Sequence, residues 1–344
     1  STGQRTWATY YGGITRAGFF QDVRLDTSGN IFVLGGSASN TLPTPADHPG
    51  NVATAGTFRQ TGGSSTSYLV KFNAAGVRQW GTFVAGSEEK SISTGSGSSL
   101  ELDSSGNVYI AGSGANSTYD ANLPANVGEG TVVTTDQGYL AKFAGSNGTR
   151  LWGRFFNGTL SDLQLYEASG RIHAVGTTTS STGVASSGAH RTSLTSTKDG
   201  FWSTFDLGGH FVKGTDLGGA SGETYAQNVR LDGTGHLLIL GSSTTSGGEL
   251  ATDCSYQPNP GGGTDIFVNK FNLANGQKIW GTYFGGTAND LVAPTNSTFG
   301  SSPGGSNLVI TGEEKIIVGG YAQPGSNKLS TANTHQPTYG GGDY

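Results

Sequence analysis

A seven-residue phrase recurs along the 344-residue chain and constrains its fold more than any other feature. The phrase reads Trp-Ala-Thr-Tyr-Tyr-Gly-Gly at its first occurrence and Trp-Gly-Thr-Tyr-Phe-Gly-Gly at its last. Its five copies are spaced by 61 to 73 residues and begin at Trp7, Trp80, Trp152, Lys213 and Trp280. Because a period of this length indicates one supersecondary unit used repeatedly, the chain predicts five structural units in a single register.

A second signature in each unit predicts a tight β-hairpin. In Val23–Gly35 and Leu100–Gly112, two β-rich runs flank a short polar turn. The turn carboxylate, Asp26 or Asp103, can accept hydrogen bonds from the turn amides, and the glycine three residues later can take the positive φ that a short hairpin needs. The pattern lacks the further acidic positions of a calcium loop, so turn chemistry is favoured over metal binding. The signature reappears at Leu163–Gly176 and Val229–Gly241, and a looser copy lies at Leu308–Gly319.

A third signature predicts a second hairpin in each unit. It is an aromatic-rich run that leads through a short turn into the next copy of the Trp phrase. The run occurs at Tyr68–Phe72, Tyr139–Phe143, Phe201–Phe205 and Phe267–Phe271. Each unit is therefore expected to contain four strands, joined by two tight turns and two longer loops.

The composition agrees with a β-rich chain. Glycine contributes 59 residues, and each glycine costs a helix about 1 kcal/mol relative to alanine. Four-stranded units that cannot bury both faces alone must stack on their neighbours, and radial stacking in a closed ring is the β-propeller solution. We expect an all-β protein, a single β-propeller domain over residues 1–344 with five four-stranded repeats of about 61–73 residues. A β-solenoid is the competing architecture, but its coils usually lack tight hairpins.

The two ends of the chain are predicted to meet in the last blade. The phrase at Trp7 would form an outer strand without a blade of its own, so its pairing with the last blade would close the ring and remove exposed edges. The third strand of that blade, expected after Tyr344, does not occur in the sequence. Either the natural chain continues, or a strand from a neighbouring subunit fills the slot by β-augmentation. The residues expected at ring closure or at a subunit contact are Trp7, Tyr10, Tyr11, Asp343 and Tyr344.

Three phrases of the sequence carry a family resemblance. Trp280–Gly286, Leu102–Gly112 and Asp265–Asn272 are similar to the bacterial β-propeller repeat family known as SBBP. The resemblance covers essentially the whole chain and is weaker at Lys213 and around Gly312. Members of that family occur in secreted and cell-surface proteins, often large and multidomain, and its name refers to seven blades where this chain shows five units. A similarity to NHL-type repeats implies that the Leu-x-Leu-Asp strand is innermost and the Trp strand outermost in each blade.

The sequence shows no constellation of catalytic or metal-ligating residues. None of the six histidines has a metal-like spacing, and His173 and His236 occupy strand and turn positions that other units fill with structural residues. The single Cys254 excludes an intramolecular disulfide, and no Gly-x-Ser-x-Gly nucleophile elbow occurs. No catalytic residue, metal or cofactor is therefore predicted. A hydrolase that gathers carboxylates from several blades onto one face is the less favoured alternative.

The aromatic residues allow a second alternative. Tryptophans that recur at one strand position are expected to pack between adjacent blades rather than contact a ligand. Trp202 replaces an aliphatic residue in one unit only, which makes it the better candidate for an exposed aromatic with ligand contact. Lys213 replaces Trp and could mark a solvent-exposed or intersubunit edge. Equivalent pockets between blades, each with an aromatic residue and an Asn or Asp, would make a carbohydrate-binding, lectin-like propeller.

Charge and hydropathy restrict the partners. A net charge of −5 argues against nucleic acid, and the absence of an 18-residue apolar run argues against membrane insertion. Few Lys and Arg residues, no disulfide and no Met suit an exported bacterial protein with a cut signal peptide, either secreted or on the cell surface. We expect a non-enzymatic scaffold, adhesive module or assembly subunit that binds itself, other domains of a longer chain or a cell-surface glycan. Long loops such as Gly36–Ser67 and Gly112–Gly138 would offer a recognition surface on one rim.

Overall fold

The computed structural model contains most of the predicted strands. The described residues are 4–11, 18–37, 52–60, 66–84, 99–114, 137–245, 249–292, 307–312, 315–323 and 330. Within these ranges the chain forms 20 β-strands and a 3₁₀ turn at Glu167–Ser169, which confirms the all-β class. Over the same ranges, no helix has the length and apolar character needed to cross a membrane.

The chain divides into two compact units, with the main boundary after Leu160. The first compact unit holds two antiparallel sheets of four strands each. The strands of sheet 1 are β1 (Gly18–Leu25), β2 (Ile31–Ser37), β3 (Thr66–Phe72) and β4 (Arg78–Phe83). The strands of sheet 2 are β5 (Ser99–Leu102), β6 (Val108–Gly114), β7 (Gln137–Phe143) and β8 (Arg150–Asn157).

The second compact unit holds two further four-stranded sheets and two short strand pairs. The strands of sheet 3 are β9 (Thr159–Tyr166), β10 (Arg171–Thr178), β11 (Asp199–Asp206) and β12 (Phe211–Leu217). The strands of sheet 4 are β13 (Thr224–Leu231), β14 (His236–Ser243), β15 (Asp265–Asn272) and β16 (Lys278–Phe284). The short pairs join β17 (Asp290–Leu291) to β20 (Tyr321–Ala322) and β18 (Leu308–Ile310) to β19 (Ile316–Val318).

Four of the five predicted units therefore adopt the predicted arrangement of four antiparallel strands. In each sheet the strands follow chain order, so the Leu-x-Leu-Asp strand lies at one edge and the Trp strand at the other. The fifth unit contributes the β18–β19 hairpin and the β17–β20 pair. The closed ring, the number of blades and the single domain over 1–344 stay predictions.

The outer strand predicted at the first phrase does not form. Residues 4–11 have no strand conformation in the structure, because a strand needs a hydrogen-bonded neighbour and the described residues provide none alongside this segment. The predicted pairing of Trp7 with the last blade therefore stays a prediction. Asp343 and Tyr344, expected at the same junction, lie outside the described residues.

The first hairpin turns use the predicted chemistry. The Asp26 carboxylate accepts hydrogen bonds from the backbone N–H groups of Ser28 and Asn30, each at 2.9 Å. Gly29 has a φ of +77°, and the Asn30 side-chain amide donates to the second carboxylate oxygen at 2.7 Å. The turn at Asp103 repeats this arrangement with its own asparagine. The carboxylate, the glycine and the following asparagine thus close the turn together.

Adjacent sheets within each compact unit pack face to face. One hydrophobic cluster joins sheets 1 and 2, and its buried members are Phe32, Leu34, Leu69, Trp80, Val84, Leu100, Val108, Ile110, Tyr139, Ala141 and Phe143. A second cluster joins sheets 3 and 4 in the same way. Because burying one such side chain contributes about 1.5–3 kcal/mol relative to leaving it exposed, the stacked pair is far more stable than a single sheet.

Carboxylates on the first strands connect the same pairs of sheets. Asp22 on β1 accepts a hydrogen bond from the backbone N–H of Leu100 on β5, at 2.9 Å. Asp162 on β9 makes the equivalent contact with the backbone N–H of Val229 on β13, at 3.0 Å. A β-bulge between Phe20 and Asp22 changes the side-chain alternation at this point. One edge amide of each neighbouring sheet, that of Leu100 or Val229, thereby obtains a carboxylate acceptor.

Candidate functional site

The recurrent phrase forms the fourth strand of each sheet, and its first three residues make separate kinds of contact. These residues are described here as the Trp, Gly and Thr positions of the phrase. Three copies carry all of the contacts at the Gly and Thr positions that are given below: Trp80-Gly81-Thr82 on β4, Lys213-Gly214-Thr215 on β12 and Trp280-Gly281-Thr282 on β16.

The Trp position connects one sheet to the next. The Trp80 indole N–H donates to the carbonyl oxygen of Gly145, in the turn between β7 and β8 of sheet 2, at 3.0 Å. Trp7 donates in the same way to the carbonyl oxygen of Ala74, in the turn between β3 and β4 of sheet 1, at 3.1 Å. Trp80 is buried in the cluster between the two sheets. The predicted packing role of the recurring tryptophans is confirmed for this residue.

Each of these indole rings packs against a turn glycine. Gly148 has a φ of +71°, and a Cβ built on it would lie 2.7 Å from the Trp80 ring. Gly76 has a φ of +79°, and its Cβ would lie 2.8 Å from the Trp7 ring. Glycine is therefore needed at these positions for two reasons: it adopts the left-handed backbone conformation, and it leaves room for the aromatic ring.

Lys213 makes the equivalent contact without an aromatic ring. Its ammonium nitrogen donates to the carbonyl oxygen of Leu273, at the same place in the turn of sheet 4, at 2.9 Å. Burial, reinforced by the positive charge of Arg171, lowers the pKa of Lys213. Gly276 of that turn has open space where a Cβ would lie, which fits the absence of an indole. The hypothesis that Lys213 marks an exposed or intersubunit edge is wrong, since its side chain joins two sheets of one chain.

Trp202 is buried rather than exposed. Its side chain is 2% accessible and belongs to the cluster between sheets 3 and 4. The ring centroid lies 5.4 Å from that of Phe271, and the indole N–H donates to His173 Nδ1 at 3.3 Å. The prediction that Trp202 is an exposed aromatic for ligand contact is therefore wrong. The indole fills interlayer volume in the sheet whose fourth strand carries Lys213 in place of Trp.

His173 has the structural role predicted for it. It lies on β10 and is buried, with its Nδ1 also 3.2 Å from the hydroxyl of Thr204. Burial, followed by the charges of Lys213 and Arg171, lowers the pKa of His173 to about 4. The ring is therefore neutral at pH 7 and can accept the indole hydrogen bond.

The contact between indole and glycine can be tested with a matched pair of substitutions. Gly148→Ala and Gly276→Ala introduce the same backbone strain, because their φ angles are +71° and +73°, but only the first places a methyl group against Trp80. We expect Gly148→Ala to lower the free energy of unfolding by roughly 1–3 kcal/mol more than Gly276→Ala, as measured by urea denaturation. Equal losses would show that Trp80 does not pack on this turn.

The Gly and Thr positions bind a segment of the loop that precedes the third strand. We call this segment the cover segment; it comprises Val52–Arg59 in sheet 1, Val184–Arg191 in sheet 3 and Leu250–Gln257 in sheet 4. Its third residue donates a backbone hydrogen bond to the carbonyl oxygen at the Gly position. The three bonds are Thr54 to Gly81 (2.8 Å), Ser186 to Gly214 (2.9 Å) and Thr252 to Gly281 (2.9 Å).

The last residue of the cover segment closes the contact at the other end. Its carbonyl oxygen accepts from the backbone N–H that follows the Thr position, and its own N–H donates to the Thr hydroxyl. The backbone N–H groups of Phe83, Asp216 and Tyr283 donate to the carbonyl oxygens of Arg59 (3.0 Å), Arg191 (3.1 Å) and Gln257 (2.9 Å), respectively. The backbone N–H groups of Arg59, Arg191 and Gln257 donate in turn to the hydroxyls of Thr82, Thr215 and Thr282, each at 2.9 Å.

Glycine is required at its position because the cover segment passes directly over it. A Cβ at Gly81, Gly214 or Gly281 would lie less than 3.0 Å from the carbonyl oxygen of the first cover residue. That oxygen is backbone, so a side chain could not be accommodated by a rotamer change. Two contacts of the fourth strand therefore explain the residues of the phrase: the Trp position contacts the next sheet, and the Gly and Thr positions contact the loop of the same sheet.

Part of the loop before the third strand pairs with the fourth strand in the three sheets with a described cover segment. Most of Gly36–Ser67 and Gly112–Gly138 lies outside the described residues, so the recognition surface predicted on these loops stays a prediction. The physical reason is that an edge strand presents unpaired N–H and C=O groups. The sequence pattern of an aliphatic residue followed by Thr or Ser two positions later and Arg or Gln seven positions later could have revealed these segments.

The N-terminal segment lies on sheet 1. Besides the Trp7 contact, the Tyr11 hydroxyl donates to the carbonyl oxygen of Val52, and its ring lies 5.1 Å from Tyr68 and 5.5 Å from Phe72 between centroids. Burial raises the pKa of Tyr11 to about 12. Tyr10, by contrast, is fully exposed. The structure thus brings two of the predicted contact residues onto one sheet and leaves the third facing solvent.

The β18–β19 hairpin has an exposed strand. Leu308 is buried in a cluster with Leu238 and Leu240 of sheet 4, whereas Ile316 and Ile317 on β19 are exposed. In sheet 4 the corresponding second strand, β14, is buried between its neighbours. The fifth unit therefore has one strand packed on sheet 4 and one strand with an apolar surface in contact with solvent.

Sheet 3 contains a buried acidic pair. Asp216 stands where sheets 1 and 4 have Phe83 and Tyr283, and burial together with the charge of Asp199 raises the pKa of Asp216 to about 7. Asp199 accepts a hydrogen bond from the Ser196 hydroxyl at 2.6 Å. Both carboxyl groups are almost inaccessible to solvent. A perturbed carboxyl group marks a candidate site, but these two offer no surface to a substrate.

The acidic pair makes stability depend on pH. Because the folded-state pKa of Asp216 is raised from 3.8 to about 7, ionisation destabilises the fold as the pH rises through this window. We expect Asp216→Asn to raise the free energy of unfolding by roughly 1–3 kcal/mol at pH 8 and to have little effect at pH 4. Urea denaturation at pH 8 and at pH 4 measures the free energy of unfolding of both proteins. Asp253→Asn, at an exposed cover residue, is the control, and the same gain for Asp216→Asn at both pH values would contradict the assignment.

The described residues hold no group of three or more His, Cys, Asp or Glu side chains that could bind a metal ion. Cys254 is a free, exposed thiol in the cover segment of sheet 4. His236 lies in the first turn of sheet 4, where its Nδ1 is 2.9 Å from Asp232, in agreement with its predicted turn position. His48 and His335 lie outside the described residues.

Comparison with known proteins gives no family for this chain. No family model matches it, and no curated protein matches it. A protein of unknown function from Dyadobacter fermentans DSM 18053 has a similar structure with a TM-score of 0.43 and 10% identity, over 83% of this chain and 75% of that chain. The Synechocystis apocarotenoid oxygenase aligns with a TM-score of 0.28 and 9% identity, over 80% and 71%. A eukaryotic initiation factor aligns with a TM-score of 0.27 and 7% identity, over 77% and 55%.

Proposed function

We propose that this chain is a non-enzymatic β-propeller repeat protein that serves as a structural or binding subunit of a secreted or bacterial cell-surface assembly. One observation carries the proposal. The most strongly repeated residues of the sequence are used for contacts between sheets and along sheet edges, and none of them presents a reactive group to solvent. Five units of the SBBP type, arranged around an axis, are the finer architecture that we propose.

The open surfaces of the structure support a role in assembly. Trp7 contacts sheet 1 in the way that Trp80 contacts sheet 2, and among the described residues no strand pairs with the Trp7–Tyr11 segment. The β18–β19 hairpin leaves Ile316 and Ile317 exposed. Exposed strand edges invite pairing with another chain, so a second copy or a further domain is the partner that we propose. A net charge of only −5 keeps electrostatic repulsion between copies small.

The alternative functions lack an observation of this kind. A lectin-like propeller needs accessible aromatic rings at equivalent positions, whereas Trp80 and Trp202 are buried. A propeller hydrolase needs carboxylates that can reach a substrate, whereas Asp199 and Asp216 are enclosed in sheet 3. The structural proposal accounts for more of the repeated sequence than either alternative.

Electron microscopy of the purified full chain tests the proposed function. We expect blade-like particles joined into dimers or longer assemblies, in amounts that increase with protein concentration. A chain that stays as isolated particles at every concentration and binds soluble glycans would contradict the proposal in favour of the lectin-like alternative. Turnover of a glycoside substrate would contradict its non-enzymatic part.

A further inference from the structure

The described part of the fifth unit has the arrangement of the first two strands of a sheet. β18 pairs with β19 in the register of β13 and β14, since Leu308 lies opposite Val318 as Val229 lies opposite Ile239. In each four-stranded sheet, the second strand also pairs with a third strand on its other side. Within the described part of the chain, no strand pairs with β19 on that side. The fifth unit therefore has a second strand with one open edge.

The open edge of β19 presents a defined set of backbone groups. At the start of the hairpin, the N–H of Thr311 donates to the carbonyl oxygen of Lys315 at 2.9 Å, so the backbone groups of Lys315 point toward β18. Because successive residues of a strand direct these groups to opposite sides, Ile316 and Val318 direct their N–H and C=O groups away from β18. The side chains of Ile316 and Ile317 are exposed. The edge is thus open to an incoming strand.

The Trp position of sheet 4 also has an unfilled contact. Trp80 and Lys213 donate to the carbonyl oxygens of Gly145 and Leu273, each of which lies two residues after a third strand's last aromatic residue. Trp280 packs against the cluster that joins sheet 4 to the fifth unit. Within the described residues, none accepts a hydrogen bond from its indole N–H. A third strand and its turn beside β19 would supply this acceptor.

The cover segments show a third contact of the same kind. The penultimate residue of the cover segment in sheet 1 is Phe58, whose ring centroid lies 5.9 Å from that of Phe143 on the third strand of sheet 2. In sheet 3 it is His190, which lies 5.8 Å from Phe271 on the third strand of sheet 4. The equivalent residue in sheet 4 is Tyr256, and its side chain is 69% exposed. Its ring is accessible for stacking with an aromatic residue of a further third strand.

We propose that β19 binds an extended strand of another polypeptide, and that this strand takes the place of a third strand in the fifth unit. The inference rests on the proposed function and names the chemistry of the partner. The bound strand runs antiparallel to β19 and places an aromatic residue opposite Ile316, as Phe271 lies opposite Leu237 in sheet 4. That aromatic residue stacks on Tyr256, and the carbonyl oxygen two residues later accepts from the Trp280 indole.

The partner is a different polypeptide because no strand of this type is left over in the chain. The aromatic-rich run of the third signature occurs four times in the 344 residues. Each copy is already the third strand of a sheet and is paired on both sides, as β3, β7, β11 or β15. A folded second copy has the same four strands in the same sheets, so it offers none for this edge either. Pairing along an exposed strand is an established mode of peptide recognition.

A synthetic peptide with the sequence of Gln137–Gly148 tests the proposal, since it contains a third strand and its turn. The peptide carries a fluorescent label and is titrated with the full chain while its fluorescence anisotropy is measured. We expect saturable binding of one peptide per chain. N-methylation at Ala141 blocks an N–H that would face β19, whereas N-methylation at Lys142 blocks one that would face away. We expect at least about tenfold weaker binding for the first and less than about a threefold change for the second.

Two substitutions in the chain locate the binding site. Ile316→Pro removes an N–H on the open edge and keeps those that point toward β18, and an edge strand tolerates proline at such a position. We expect this variant to lose peptide binding. Trp280→Phe keeps an aromatic ring but removes the indole N–H, so we expect roughly threefold to tenfold weaker binding. Urea denaturation of both variants establishes that they are folded, and Trp280→Phe and the two N-methylated peptides still decide the matter if Ile316→Pro is not.

Several results would overturn the proposal. They are the absence of saturable binding, equal effects of the two N-methyl groups, and unchanged binding in folded Ile316→Pro or in Trp280→Phe. Assembly of the purified chain that the peptide inhibits would show that a second copy supplies the strand, which would contradict the choice of partner. Assemblies seen by electron microscopy without any peptide binding would retain the proposed function and reject this contact. Peptide binding by a chain that stays as isolated particles would retain the contact and reject self-assembly.

Discussion

The structure depends on a close approach between two stretches of backbone, the fourth strand of a sheet and the cover segment of the same unit. A glycine after the Trp position allows that approach, and the N–H and C=O groups of the strand edge then find partners in their own loop. Unpaired edges are the main liability of a protein made of separate sheets. Once the edge is covered, the faces of the sheets remain for stacking, and the Trp position connects each stacked pair.

The sequence predicts the elements of this arrangement better than their contacts. The spacing of the phrase and the turn chemistry of Asp26 and Gly29 are local features, so four sheets and their hairpins follow from pattern alone. Trp202 could not be placed in this way, because its burial depends on Lys213 in the neighbouring strand and on Phe271 in the next sheet. The cover segments were also missed, since their backbone bonds bridge 24 or more residues and use side chains of ordinary composition.

The same physical account explains why irregular copies of the phrase persist. Lys213 keeps the hydrogen bond of the missing indole while Trp202 replaces its volume, so sheet 3 still stacks on sheet 4. Asp216 replaces an aromatic residue at the cost of a buried charge, which Asp199 makes more unfavourable. Ala8 departs from glycine where the N-terminal segment has no cover segment within the described chain. Each departure changes one contact and leaves the others in place, as expected when the contacts of a phrase are independent.

Hydrogen–deuterium exchange of the full chain, resolved to single amides at low protein concentration, measures whether the loops cover the sheet edges in solution. We expect the amides of Phe83, Asp216 and Tyr283, which donate to cover segments, to exchange as slowly as those inside the sheets. We expect the amide of Tyr10, which is exposed and has no cover segment among the described residues, to exchange rapidly. Rapid exchange at all four amides would contradict the pairing of the fourth strands with their loops, because it would show that the loops do not cover the sheet edges in solution.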